Sequence, residues 1–400
     1  MDGGLTIGAG EARPRERSGQ AERTVSADAA SAEDIERLRR MRECLRALRA
    51  YHANSIVEPL GDVLVHGLVY VLAVALVLTW PGPVIGCIGI AIACYKAGRL
   101  FEVGHDACHG SYTPNANFNR WIGRLAFLPS LHVFSLWRFG HNVLHHGYSN
   151  LRGKDFVWVP LTKAEHDALP WWRRGLQRLY RHHSAVGIPA YYVIELWLPR
   201  LIVPRREHLR AALPGLATDL LLMGGFVGLM GVASVGFAWM AAAPDGAVLP
   251  FAFARFAGAL IVPFLYTAGM VGFVVYFNHT HPDIPWYRDA AEWNFARAQM
   301  EETTCLRFEL AGYVLGIEGI MSHTVHHIDP RVPLYRLREA RACIGRILGD
   351  WLIDYRFTLR ECVAIMRACK LYDYDAQCWM TFSGRRTSEP KRPGSLAVTR

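Results

Sequence analysis

Four blocks of apolar residues, at 63–80, 84–95, 215–243 and 256–277, stand apart from the charged residues, which collect at 11–49, 171–181, 200–210, 286–309 and 331–361. A water-soluble domain interleaves the two classes more finely, so the chain reads as inserted in a membrane. About 20 apolar residues rising 1.5 Å each cross roughly 30 Å of hydrocarbon. Val63–Trp80 meets that need, interrupted only by His66, and Pro81-Gly82-Pro83 then reverses the chain. A second helix starts at Val84, stays apolar to Tyr95 and runs on to His109, with Lys96 and Arg99 able to snorkel toward an interface. The third span is 215–243, with Asp219 near its entrance and a turn at Pro244-Asp245-Gly246. The fourth is Phe256–Phe277, which Pro263 should kink.

The reversals at 81–83 and 244–254 carry no Lys or Arg, whereas Arg37, Arg39, Arg40, Arg42, Arg46 and Arg49 precede the first span and Arg200, Arg205, Arg206 and Arg210 the third. By the positive-inside rule both termini and the 101–214 stretch face the cytosol, giving a multi-pass protein of the cytoplasmic membrane. The expected fold is an all-α integral membrane protein of four transmembrane helices in two hairpins, topped by a cytosolic helical cap. Segments 121–137 and 187–204 read as helices lying at the interface. Residues 1–50 read as a disordered, basic N-terminal region, 51–382 as the membrane domain and 383–400 as a disordered tail. The same topology accounts for the net charge of +9. No nucleic-acid motif accompanies it, so a lipid bilayer and not nucleic acid is the expected partner. Nine cysteines without a CxxC pair fit a reducing compartment.

Chemistry is carried by the histidines, of which there are seventeen. His105 and His109 lie in HDACH; His141, His145 and His146 in HNVLHH; His279 in FNHTHPD; and His323, His326 and His327 in HTVHH. Helical neighbours at i+3 and i+4 share a face, so His105/His109, His141/His145 and His323/His326 each present two imidazoles to one point. The adjacent pairs diverge by about 100° per residue, letting one ring join its upstream partner while the other serves a second metal. Imidazole suits Fe, Zn, Cu and Ni. Nine histidines oversupply a single zinc, and the ExxH pattern of soluble di-iron bundles is absent, so two irons in a mostly histidine shell is the preferred reading. His132, His166, His182, His183 and His208 lack this spacing and read as surface or interfacial, and His66 as bonded to a neighbouring helix. Trp171, Trp172 and Trp286 read as an aromatic belt.

From about residue 60 to 360 the chain resembles the membrane fatty acid desaturase superfamily. GHDACHGSY (104–112), WRFGHNVLHH (137–146) and SHTVHHIDPRVPLYRLREA (322–340) are similar to its three histidine boxes. KDFVWVP (154–160) and YFNHTHPDIPWY (276–287) are similar to stretches of the acyl-lipid omega-6 (delta-12) branch and its bacterial relatives. The second box departs from the plant type in having three residues, Asn142-Val143-Leu144, before its HH pair. That leaves the iron site intact and the double-bond position open. The resemblance implies a ninth ligand after the fourth span, where His279 matches the family's order of residues better than His281. His281 is assigned a supporting place beside the ligands, and Asp106 is a candidate acceptor for an imidazole N–H.

The activity so implied is O2- and iron-dependent removal of two hydrogens from adjacent methylenes of an acyl lipid, an acyl-CoA or an acyl-carrier-protein substrate. Hydroxylase, acetylenase and ketolase activities share such a scaffold, and a metal transporter is the distant alternative. The chain has no flavin or nicotinamide fingerprint and no HPGG haem motif, which implies a separate electron donor, a ferredoxin.

Overall fold

The computed structural model describes residues 31–390 apart from 203, 205, 242–246, 309–315 and 318. Among the described residues four helical stretches are long and apolar enough to cross a membrane: Val57–Thr79, Pro83–His109, His208–Met240 and Val248–His279. After α1 (Ala32–Leu48), they form α2 (Val57–Thr79) and α3 (Pro83–His109), then, beyond α4 to α8, α9 (Arg206–Met240), α10 (Val248–Phe256) and α11 (Val262–His279). α2 packs on α3 and α9 on α10, while α11 crosses α3 at the centre of the bundle.

Local chemistry sets the ends of these helices. Trp80 closes α2 in the left-handed conformation, and Pro83 opens α3 at a position where no N–H is needed. A Cβ on Gly86 would stand 2.3 Å from the Trp80 ring, so glycine is required where that ring folds back on α3. Pro263 lacks the N–H that would bond four residues back, and the chain meets it with a π-turn at Ala257–Ile261. The fourth span is therefore longer than its apolar block. It starts at Val248, and the Arg255 Nε donates to the Leu78 carbonyl (2.7 Å), tying α10 to the end of α2. The expected turn at 244–246 lies outside the described residues.

Between the two pairs of spans lie α4 (Ala116–Ala126), α5 (Phe134–Arg138, continued by a π-turn at Phe139–His145), α6 (Lys163–Ala168), α7 (Trp171–Tyr180) and α8 (Ile188–Tyr191, continued by a π-helix at Tyr192–Ile202). Asp219 of α9 anchors this layer: its carboxylate accepts from Arg124 Nε (2.6 Å) and from the Ser135 backbone N–H (2.7 Å). After α11 come α12 (Phe295–Met300), α13 (His323–Ile328), α14 (Leu334–Leu348) and α15 (Leu359–Ala368).

Several expectations are corrected here. The fold is mostly and not wholly helical. β1 (Thr304–Arg307) pairs in parallel with β2 (Ile353–Arg356), and β3 (Leu371–Asp373) pairs antiparallel with β4 (Cys378–Met380). β2 alternates partly buried and exposed residues with period two, which suits a strand and not a helix. Within the region 1–50, expected to be disordered, α1 is an ordered helix capped by Ser31 and packed on α14. Within 383–400, Thr387 N–H bonds the Trp379 carbonyl. Residues 1–30 and 391–400 lie outside the described residues. His132, His166 and His208 are buried, not superficial, and Trp286 is fully buried, whereas Trp171 and Trp172 are exposed as expected of a belt. Lys96 and Arg99 turn inward: Lys96 Nζ meets His66 Nδ1 at 2.9 Å, and Arg99 pairs with Glu102 and the Gly316 carbonyl.

Both members of the Arg124–Asp219 pair are largely shielded, so Asp219→Ala strands a cation and an amide. The substitution is expected to cost about 3 kcal/mol. It should lower the thermal midpoint of the detergent-solubilised protein, and a wild-type midpoint would show that α9 does not depend on this anchor.

Candidate metal centre

Each histidine run reaches the centre by a different local device. In α3, Gly104 precedes His105. A Cβ there would stand 2.2 Å from Phe127, so the glycine lets that ring pack against the helix just where the first imidazoles emerge. The second run lies in a π-turn, in which His146 N–H bonds the His141 carbonyl five residues back (3.0 Å). In an α-helix His146 would point about 140° away from His141. The wider turn brings His145 and His146 to either side of it. The third run is α13, a short helix wholly buried between β1 and α14.

The imidazoles converge from these elements into two groups, His105, His109, His141 and His326, and His145, His279, His323 and His327. Within each group the nearest ring nitrogens all lie within 4.8 Å of one another. His146 stands between them. Its Nε2 is 3.2 Å from His141 Nε2, and its ring stacks on His327 with centroids 4.3 Å apart. The structure thus brings together all nine histidines singled out in the sequence. It distributes them differently from α-helical spacing: His141 and His145 separate into different groups, and His323 pairs with His327 (Nε2 to Nε2, 3.1 Å) and not with His326. The π-turn causes the first change; the second follows because i+4 neighbours overlap more closely than i+3 ones. The adjacent pair His326/His327 diverges to the two groups as expected. His281 lies outside both, 3.5 Å from the Asp283 carboxylate and beside the Tyr355 ring.

Four pairs of Nε2 atoms face each other at 2.9–3.2 Å: His105 with His141, His146 with His141, His279 with His323 and His327 with His323. Two lone pairs at that distance repel unless something positive joins them. Nitrogens each about 2.1 Å from one ion and at right angles stand about 3.0 Å apart, so the spacing fits shared metals. Among the described residues the buried Nε2 atoms of His109, His145 and His326 have no hydrogen-bond partner, a costly arrangement for protein alone and an ordinary one for a ligand shell. Burial, reinforced by neighbouring imidazoles, holds His141, His146, His326 and His327 well below the ordinary imidazole range, in the neutral form that binds metal.

Carboxylates orient the outer nitrogens. Asp106 Oδ1 lies 3.3 Å from His105 Nδ1, and its Oδ2 accepts from Leu334 N–H (2.7 Å), which joins the first box to the start of α14. Asp155 does the same for His145 (3.2 Å) while accepting from the Asn150, Phe156 and Val157 amides. Asp155 was not singled out in the sequence, though it stands in the KDFVWVP stretch that was. Gln299 and Ser149, both near His327 Nδ1, had no sequence signal. Beside His141 opens an apolar cavity walled by Trp137, Phe156, Leu196, Val271 and Val275.

The described residues thus form a mostly helical protein with four membrane-length helices and two adjoining imidazole clusters compatible with a metal site, beside an apolar cavity. A family model described as fatty acid desaturase matches residues 78–357, and the chain belongs to that family. The sn-1 acyl-lipid omega-3 desaturase (ferredoxin) of Synechocystis sp. is 27% identical over 270 residues, 65% of this chain and 66% of that one. The chloroplastic omega-6 fatty acid desaturase of Spinacia oleracea is 27% identical over 301 residues, 74% of this chain and 61% of that one. The sn-1 oleoyl-lipid 12-desaturase of Picosynechococcus sp. is 28% identical over 293 residues, 68% of this chain and 73% of that one. The chain thus spans slightly less than two thirds of the length of the first two.

Removing the acceptor from His145 is expected to loosen metal. In Asp155→Ala, affinity measured by competition with a coloured chelator should fall roughly 10–100-fold; an unchanged affinity would remove Asp155 from the centre.

Proposed function

We propose that the protein is an O2-dependent desaturase that introduces a C=C bond into the acyl chain of a membrane lipid, with two iron ions held by His105, His109, His141, His145, His146, His279, His323, His326 and His327. The single observation that carries this reading is the pair of buried imidazole clusters opening beside an apolar cavity. Bound iron would supply the O2 activation that an unactivated C–H bond demands and that side chains cannot provide.

The chain's own residues do the rest. The first group (His105, His109, His141, His326) would hold one ion and the second (His145, His279, His323, His327) the other, with His146 between. Asp106 and Asp155 keep the proton of His105 and His145 on Nδ1, leaving each Nε2 lone pair inward. The cavity walls exclude water and align an extended hydrocarbon along Phe156, Leu196 and Val275 toward His141. Electrons would come from a separate donor. A ferredoxin is the proposed one, in keeping with the name of the Synechocystis relative. Two helical hairpins, with the histidine layer and both termini on the cytosolic side of the cytoplasmic membrane, complete the reading; the arginines of α1 and of the segment before α9 support that orientation.

Expression in a host that makes no polyunsaturated lipids, followed by mass spectrometry of its acyl chains, tests the activity. Wild type should yield chains lighter by two hydrogens, and His326→Ala none. Products gaining oxygen or losing four hydrogens would make the enzyme a hydroxylase or an acetylenase instead. Val275→Trp, which fills the cavity, should abolish product while leaving bound iron unchanged. Full activity in that variant would place the acyl chain elsewhere.

A further inference from the structure

Of the imidazoles in the second group, His327 has the most unusual support. Its Nδ1 is 2.9 Å from Gln299 Oε1 and 3.3 Å from Ser149 Oγ. The neighbours of Gln299 and Ser149 fix the direction of these bonds. Gln299 Nε2 lies 3.1 Å from the His146 carbonyl, which can only accept, so the amide nitrogen faces it and the amide oxygen faces His327. Ser149 in turn donates its hydroxyl proton to the His145 carbonyl (2.8 Å), leaving only lone pairs for His327. Both neighbours of Nδ1 are therefore acceptors, Nδ1 carries the proton, and the Nε2 lone pair points toward His323 and the centre.

A side chain positions another only if it is itself fixed. Gln299 is fully buried near the end of α12, and α12 is pinned from several sides. Asn294 caps it through Arg297 N–H and also donates to Asp34 of α1 (3.2 Å). Arg37 of α1 donates to the buried Glu301 carboxylate (2.8 Å), and Trp293 Nε1 donates to the Ser149 carbonyl (2.9 Å). Thr303 closes the turn by donating to the Gln299 carbonyl.

We infer that Gln299 is a positioning residue of the metal centre: its amide locks His327 in the Nδ1-protonated tautomer and at the same time ties the backbone of the second histidine run to the third. A neutral amide here does for His327 what the carboxylates of Asp106 and Asp155 do for His105 and His145. The inference rests on the reading that His327 holds a metal.

The test compares wild type with Gln299→Leu, Gln299→Asn and Gln299→Glu, purified whole in detergent and loaded anaerobically with Fe(II). Metal per chain, the rate of iron loss to a chelator and the thermal midpoint of the metal-free protein are measured. Gln299→Leu, which has no acceptor, and Gln299→Asn, which is too short to span both partners, should release part of their iron roughly 10–100-fold faster. Gln299→Glu, which keeps the acceptor for His327 but gives up the donor to the His146 carbonyl, should restore iron retention while leaving the metal-free midpoint lowered. A merely structural role would move the metal-free midpoint of Leu and Asn alike without this rescue, and that pattern overturns the inference. Wild-type retention in Gln299→Asn overturns it too. A wild-type protein that takes up no iron at all defeats the underlying two-metal reading instead.

Discussion

Imidazoles packed with their nitrogens facing one another are the constraint around which the rest of this molecule is arranged. Burial holds His141, His146, His323, His326 and His327 toward the neutral form, and rings set 2.9–3.2 Å apart nitrogen to nitrogen cannot all satisfy each other. The protein spends much of its order on holding them so. α3 and α11 bring His105, His109 and His279 from the ends of two apolar helices; the π-turn after α5 and the short helix α13 bring the other six. Gly104, Asp106, Asp155, Gln299 and the α9 anchor Asp219 act on those elements. A cation shared by several Nε2 atoms would turn an expensive core into a favourable one and so link metal to fold.

The two clusters are built alike but wired differently. In the first, Asp106 joins His105 to the backbone at the start of α14. In the second, Asp155 serves His145 through a loop whose three amides it also caps, and Gln299 serves His327. His146, stacked on His327 and close to His141, connects the two. Partners fixed in this way limit how far each ring can rotate. The apolar cavity reaches the same place from the membrane-facing elements, with His141 as part of its wall.

Much of this was legible in the sequence because its signals are periodic. Apolar blocks gave four spans, and multi-histidine runs gave all nine clustered rings. What escaped depended on local geometry that spacing does not encode. No residue in Phe139–His145 announces a π-turn, so the pairing of His141 with His146 in place of His145 could not be read. Ser149 and Gln299 are ordinary polar residues until the fold buries them against His327. α1 looked like part of a charged tail because Arg37, Glu33 and Asp34 pair within the helix, and only the fold supplies Glu301 as the fourth member. Trp286 carries the composition of an interfacial belt, but the β3–β4 corner and its neighbours enclose it. His279 and His281 share one short run, and only the end of α11 at His279 decides which ring faces inward.

A centre of this kind is defined by the number of metals it binds and by what surrounds them. Elemental analysis combined with X-ray absorption at the iron edge, on protein purified in detergent after iron loading, addresses both at once. Two irons per chain in shells dominated by nitrogen at about 2.1 Å are predicted. One metal per chain, or shells dominated by sulfur or oxygen, would contradict the two-metal reading.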